Sequence, residues 1–239
     1  MISLDIDRIR RAFPARAIHY YPTIDSTMTA AASLPPGDVV LAEEQTAGQG
    51  RHGHSWHSAA GDGIYCSLVL PQSPLLTLAL GLATHTAIFE ATGLVCDLRW
   101  PNDLMLADRK AAGILVQAGG RNAIVGIGIN VNHSAFPEDV AALATSLRIE
   151  AGRVIPREDI LLALLPATDA IVAQNESAIL ASFTQLSSYA SGRRVEVEQS
   201  DGIVTGITAG LNPDGYLIVR RDDGTDTLIV AGGVRAARP

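Results

Sequence analysis

The sequence predicts an α+β protein, a central mixed β-sheet flanked by helices and followed by a small antiparallel β-barrel or sandwich. Three observations carry that expectation. Between about residues 18 and 132, short runs rich in Val, Ile and Leu are interrupted by one longer Ala- and Leu-rich stretch. A second helical region follows over residues 156–188. Beyond it the chain breaks into brief alternating runs divided by Asp-Gly turns. The expected division is therefore 1–188 and 189–239.

The runs "DVVLAEE", "GIYCSLVL", "AAGILVQA" and "AIVGIGINVN" are each bounded by Gly or polar residues, which is the strand signal. Residues 74–92 open with Pro74, end before Gly93 and place Ala and Leu at helical spacing, so they predict a helix between strands. From Pro156 onward apolar residues recur every three or four positions, and Pro166 is expected to kink or divide that helix. The last four runs, "RRVEVEQ", "GIVTGITAGL", "GYLIVRR" and "DTLIVAGG", are separated by "SDG", "NPDG" and "DDGT", the pattern of a small antiparallel unit. No internal repeat or low-complexity tract is present.

Bulk properties narrow the function classes. With 47% hydrophobic residues in 239, the chain can build a substantial core. A net charge of −7 argues against a surface that tracks nucleic-acid phosphates. Any bound phosphate should then be held by a few local cations. Cys66 and Cys96 lie in apolar runs and predict buried free thiols in a cytoplasmic protein. "MISLDIDRIRRAF" mixes acids and bases, unlike a signal peptide. The longest apolar stretch is interrupted by Thr, Gly and His, so no membrane span is expected.

"GQGRHGHSW", residues 48–56, has the G-x-G-x-x-G spacing of a dinucleotide loop. Its context differs: the polar "EEQTA" separates it from the preceding strand, and no helix opens at Gly53. His52, His54 and His57 suggest a metal, yet no Asp or Glu lies among them, and solvated histidines are the plainer expectation. What remains is a glycine loop holding Arg51 and Trp56, able to grip an anion and cover a ring, or simply a surface turn. "RWPNDLMLADRKAAGIL", residues 99–115, holds a turn at Pro101–Asn102–Asp103 and a hairpin tip at "ADRK", with Lys110 entering the next strand.

Taken in order, "GQGRHGHSW", "RWPNDL", "KAAGIL" and "GIGINVN" resemble the motif series of the biotin protein ligases, G-R-G-R-x-G-x-x-W, K-W-P-N-D, K-x-A-G-I-L and G-x-G-x-N. "IDSTM" and "AEEQTAG" resemble the same family's segments upstream. The likeness is strong over residues 18–132 and looser over the C-terminal strands, where the family carries an SH3-like β-barrel. It implies a class II synthetase-like catalytic sheet. It also implies ATP-dependent activation of biotin to biotinyl-5′-AMP, then transfer to a lysine of a biotin carboxyl carrier protein, the acetyl-CoA carboxylase subunit.

That resemblance also implies residue roles. Lys110, Arg51 and Asp103 would be catalytic. Ser26, Thr27, Gln45, Gly48, Gln49, Arg51, Lys110 and Gly113 would meet biotin, and Arg51, Trp56, Asn102 and Asn130 the nucleotide. Mg²⁺ would arrive with ATP, near Asp103, with no metal held by the protein alone. From the residues themselves, Ser26 and Thr27 also read as the N-cap of a helix over "TMTAAASL". Two positions depart from the family pattern: Gln49 replaces its first loop arginine, and Arg99 replaces the lysine before W-P-N-D. Too few residues precede Ile24 for an operator-binding domain, so a monofunctional ligase without DNA or membrane binding is expected. The resemblance is to a family that includes both monomers and dimers, so it leaves a monomer and a homodimer both open. The rival functions are lipoate ligation or octanoyl transfer on a related fold, and a non-catalytic biotin or nucleotide sensor.

Overall fold

The computed structural model describes residues 3–199 and 202–237. Helix α1 (Ile6–Ala12) precedes strand β1 (Ile18–Ile24), the short helix α2 (Thr27–Ala31) and β2 (Val39–Gln45). A 3₁₀ turn (Arg51–Gly53) leads to β3 (Gly63–Pro71), the long helix α3 (Leu76–Thr92), β4 (Asp97–Arg99) and β5 (Asp103–Leu106). Next come β6 (Arg109–Gly119), β7 (Asn122–Asn130), α4 (Glu138–Ala141) and α5 (Leu147–Ala151). Then follow α6 (Arg157–Val172), α7 (Glu176–Leu186), β8 (Ser191–Gln199), β9 (Gly202–Leu211), β10 (Leu217–Arg220), β11 (Asp226–Ile229) and β12 (Val234–Ala236).

The first seven strands form one mixed sheet in the order β1-β2-β3-β7-β6-β5-β4, parallel only at β1–β2. Helix α3 is apolar nearly all round because it is enclosed between this sheet and α6. Its last turn ends at Gly93, whose φ of 78° gives the left-handed cap that the following glycine predicted. The small helix α2 packs on the opposite face, against β2, β3 and β7. Arg157 of α6 reaches through the edge of the core to Glu43 of β2, with Nη1 2.8 Å from Oε2, and also donates to the Gly63 carbonyl.

Two expectations need correction. Pro166 does not divide the second helical region: α6 runs through it from Arg157 to Val172, and the break falls at Asn175, which caps α7 by accepting from the Ala178 amide at 2.9 Å. Burial of Leu161, Leu164 and Leu165 against the core outweighs the one backbone bond that proline removes. The C-terminal unit has a fifth strand, β12, which pairs with β8. Its sheet runs β11-β10-β9-β8-β12, and among the described residues no ladder joins β11 to β12, so it is an open antiparallel sheet compatible with an SH3-like fold. The β9–β10 turn rests on the larger sheet, where Trp100 Nε1 donates to the Gly215 carbonyl at 2.9 Å.

Candidate active site

The sheet itself makes the floor of the site. Register places Tyr65, Gly128 and Gly113 in one row across β3, β7 and β6, and Ser67, Gly126 and Leu115 in the next. Side chains alternate along a strand, so both rows face the side that carries α2. A Cβ on Gly128 would stand 2.5 Å from Trp56 Cε2, and one on Gly126 would stand 2.8 Å from Met28 Sδ. On Gly113 it would meet Lys110 Cε at 2.9 Å and Trp56 Cζ3 at 3.1 Å. Central-strand glycines mark close approach, and here the approaching group is the Trp56 indole.

One wall is polar. Gln45 Oε1 accepts from the Thr27 amide at 2.8 Å and from Thr27 Oγ1 at 3.0 Å, while Gln45 Nε2 donates to Ser58 Oγ at 2.9 Å. Thr27 Oγ1 lies 2.8 Å from Ser67 Oγ. Ser26 occupies the N-cap position of α2, but its hydroxyl makes no capping bond and is buried without a partner. The capping expectation therefore fails for the Ser26 side chain. A buried orphan hydroxyl beside a cavity is a ready hydrogen-bonding group for a ligand.

The charged wall is built by the β4–β5 turn and the start of β6. Lys110 Nζ is 2.6 Å from Asp103 Oδ1, and Arg99 Nη2 is 2.6 Å from Asp103 Oδ2. Burial pushes the Asp103 carboxyl up, but Lys110 and Arg99 together hold it below the usual carboxylate range. A cation thus stands on each Asp103 oxygen. Among the described residues, no three His, Cys, Asp or Glu side chains are grouped to hold an ion.

Over these walls folds the glycine loop. Gln49 bridges to Ser55, the Gly50 amide donates to the His54 carbonyl at 2.7 Å, and the Trp56 amide donates to the Gly48 carbonyl at 2.9 Å. Gly48 is needed because the returning chain passes so close: a Cβ there would meet Ser58 Oγ and the Trp56 carbonyl, each at 2.7 Å. Gln117 Nε2 donates to Gln49 Oε1 at 3.2 Å. Arg51 Nη1 donates to Asn102 Oδ1 at 2.8 Å, and burial lowers the guanidinium's pKa while Asp103 opposes that shift. Lys110 Nζ sits 5.2 Å from the Trp56 ring centroid. The cavity left between loop and floor is only about 40 Å³, far below the roughly 300 Å³ or more of ordinary ligand sites. Trp56 fills the rest, with its Nε1 buried and unpartnered.

Of the residues the sequence singled out, Ser26, Thr27, Gln45, Gln49, Arg51, Trp56, Asn102, Lys110 and Gly113 line this one cavity. Gly48, Asp103 and Asn130 stand behind it. Asn130 donates to the carbonyls of Lys110 and Thr145, at 3.3 and 3.1 Å, and so holds backbone. Met28, Tyr65, Ser58 and Ser67 also belong to the site, and no motif in the sequence marks them. Gly126 and Gly128 were visible in "GIGINVN", but their purpose was not. A neighbouring cleft of about 190 Å³ shares Arg51, Ile114 and Leu115 with the cavity, and continues to Trp100 and Tyr216 beside the C-terminal sheet.

His57 and His133 approach each other, their ring centroids 5.9 Å apart, and His133 stacks on Phe136 at 5.1 Å. Burial pushes the His133 pKa down to about 4, although the Asp62 carboxylate opposes the shift. A histidine whose folded pKa is depressed stabilises the fold fully above its unfolded value near 6.5, and that stability is lost as pH falls toward 4. Stability should therefore drop on the order of 3 kcal/mol across that window. His133→Phe should flatten this part of a denaturation-versus-pH curve; an unchanged slope would refute the assignment.

The fold and this site define a class of acyl-activating ligase. The Biotin/lipoate A/B protein ligase family model matches residues 20–134, and the Biotin protein ligase C terminal domain model matches 190–234. The chain is 32% identical over 236 residues to the bifunctional ligase/repressor BirA of Bacillus subtilis, covering 89% of this chain and 72% of that one. It is 34% identical over 211 residues to the biotin–[acetyl-CoA-carboxylase] ligase of Mycobacterium tuberculosis, covering 82% and 77%. Its fold matches the biotin protein ligase from Aquifex aeolicus in complex with biotin and ATP, with a TM-score of 0.84 and 28% identity over 93% of this chain and 99% of that one. The chain belongs to the biotin protein ligase family and is a ligase. No helix among the described residues is long and apolar enough to cross a membrane.

Proposed function

We propose that this enzyme joins biotin to a lysine of a biotin carboxyl carrier protein through biotinyl-5′-AMP. The observation that carries the proposal is the pairing of a glycine floor and the orphan Ser26 hydroxyl with two cations, Lys110 and Arg51, on the same small cavity. Ser26, Thr27 and Gln45 supply donors and acceptors for the ureido ring, and the glycine rows admit the bicycle close to backbone. The biotin carboxylate oxygen attacks the α-phosphorus of ATP, and the bond to pyrophosphate breaks. Both reactants are anions, so Lys110 lowers the barrier by standing between them as charge redistributes. Asp103 holds the Lys110 ammonium in place through the ion pair at 2.6 Å. Mg²⁺ bound to the ATP phosphates would supply further charge neutralisation there, with Asp103 the nearby carboxylate. In the second step the carrier's amine attacks the acyl carbon, the amide C–N bond forms, AMP leaves, and the amine proton passes to solvent.

With Trp56 lying over the glycine floor, the loop lifts and then closes over the ligand, shielding a water-sensitive anhydride. Arg51, Trp56 and Asn102 then face the nucleotide, and Asn130 braces the strand ends beside it. For Arg51→Ala the expected result is release of biotinyl-AMP about tenfold faster or more, with labelling of bystander proteins. Retention at the parental rate, read by trapping the free adenylate, would remove Arg51 from this role.

We divide the chain into a catalytic unit, 1–188, and a C-terminal unit, 189–239, at the break between the two sheets. The buried thiols of Cys66 and Cys96, each pushed up to about 12 by burial, suit a reducing cytoplasm. The carrier partner follows from the ligase activity, whose acceptor is a carboxylase subunit. The deciding experiment is ATP–pyrophosphate exchange with biotin, lipoate and octanoate in parallel. Exchange with biotin alone is expected; preference for lipoate would move the enzyme to the other branch of its family, and no exchange with any acid would leave a sensor.

A further inference from the structure

Lys110 sits where the sheet gives it least support. The β5–β6 ladder shifts register between Leu104, opposite Ala112, and Met105, opposite Lys110, so Ala111 is the extra residue of a bulge. On the other side, the β6–β7 ladder begins only at Ala112. Bulges re-aim side chains, and a residue past the end of a ladder has no register of its own. Some other contact must fix the direction of the lysine.

The segment before α5 supplies it. The Lys110 amide donates to the Leu143 carbonyl at 2.8 Å, and the Thr145 amide donates to the Lys110 carbonyl at 2.9 Å, a parallel bridge centred on Ala144. Asn130 donates to the carbonyls of Lys110 and Thr145 alike. Thr145 is fully buried, and its hydroxyl donates to Glu150 Oε1 at 2.5 Å. The same carboxylate oxygen accepts from Arg109 Nη2 at 2.7 Å. Glu150 thus grips the residue before Lys110 in sequence and the residue that holds Lys110 by its carbonyl.

We propose that Glu150 is a positioning residue for Lys110: through Thr145 and Arg109 it sets the register of the bulged strand end and so the aim of the ammonium. The kinetic part of this proposal rests on the ligase function given above, whereas the structural part does not. Among the described residues, the side-chain bonds of Glu150 go to Thr145 and Arg109, neither of which lines the cavity. Its effect should therefore fall on the chemical step and spare biotin binding.

The test uses the whole protein and two readouts. In Glu150→Ala, the Lys110 side-chain methylene proton shifts, set by the ring current of Trp56, should move in the free enzyme. The kcat of biotin-dependent pyrophosphate exchange should fall about tenfold while the KM for biotin stays within about twofold. Glu150→Gln keeps an acceptor for the Thr145 hydroxyl and should restore most of both signals. Thr145→Val, which removes only that hydroxyl, should act in the same direction, and the double variant should be no worse than Glu150→Ala because one linkage is being cut twice. Unmoved Lys110 shifts in Glu150→Ala would overturn the proposal. So would a fall in kcat that Gln does not rescue and that tracks the loss in Tm. If the parent enzyme shows no biotin-dependent exchange, the ligase function fails, and the methylene shifts alone still decide whether Glu150 positions Lys110.

Discussion

Replacing Lys110 by alanine is expected to lower biotin-dependent pyrophosphate exchange about 1,000-fold, the scale seen when a preorganised charge is removed from a developing anion. The structure makes this more than the loss of a surface lysine. Lys110 is one of two cations on the nearly buried Asp103 carboxylate, and its ammonium also faces the Trp56 indole. Arg99 stays on the other Asp103 oxygen in the variant, so the carboxylate keeps a partner and the fold should survive. Biotin binding should weaken far less than the rate, because the greater part of the wall formed by Ser26, Thr27 and Gln45 is untouched. Lys110→Arg keeps the charge but presents it as a planar fork, and should recover stability without recovering the full rate. Pyrophosphate exchange and calorimetric biotin binding, measured on all three proteins, separate these effects. An alanine variant that exchanges at the parental rate would strip Lys110 of its catalytic role.

Much of this site was legible because its chemistry is local in sequence. Gly48, Arg51 and Trp56 lie within one nine-residue loop, and Asn102, Asp103, Lys110 and Gly113 within one hairpin, so their order and spacing identify them together. The cap of α3 was legible for a similar reason, since Gly93 marks its own left-handed turn. What stayed hidden depends on pairing between distant segments. Ser67 and Met28 matter only because register puts them beside Gly126, and Glu150 matters only because Thr145 runs alongside Lys110. The span of α6 through Pro166 shows the other limit. Local propensity favoured a break, and burial of the leucines around it decided otherwise. Strand β12, three residues without alternation, gave no periodic signal at all.

The largest effect on binding should come from a residue with no side chain. Gly128→Val is expected to weaken biotin binding by up to about 100-fold while leaving Tm within a few degrees of the parent. A Cβ at Gly128 would stand 2.5 Å from Trp56 Cε2 and 2.7 Å from Trp56 Nε1, a separation no relaxed contact tolerates. In the empty protein the indole has somewhere to go, because the loop that carries it must lift for ligand in any case. Valine also suits a central strand, so the sheet should tolerate or even welcome it. With ligand bound, neither escape is open: the loop has to close, and the floor has to lie flat beneath what it covers. Overpacking of a closed site by one branched side chain costs about 1–3 kcal/mol, which at its upper end is a loss of about 100-fold in affinity. Gly126→Val, directed at Met28 instead, should cost less, since a thioether can adjust where an indole cannot. Calorimetric titration of biotin into the two variants ranks them. Parental affinity in Gly128→Val would mean that the ligand does not use this floor, and that the glycines of β6 and β7 serve only to seat the tryptophan.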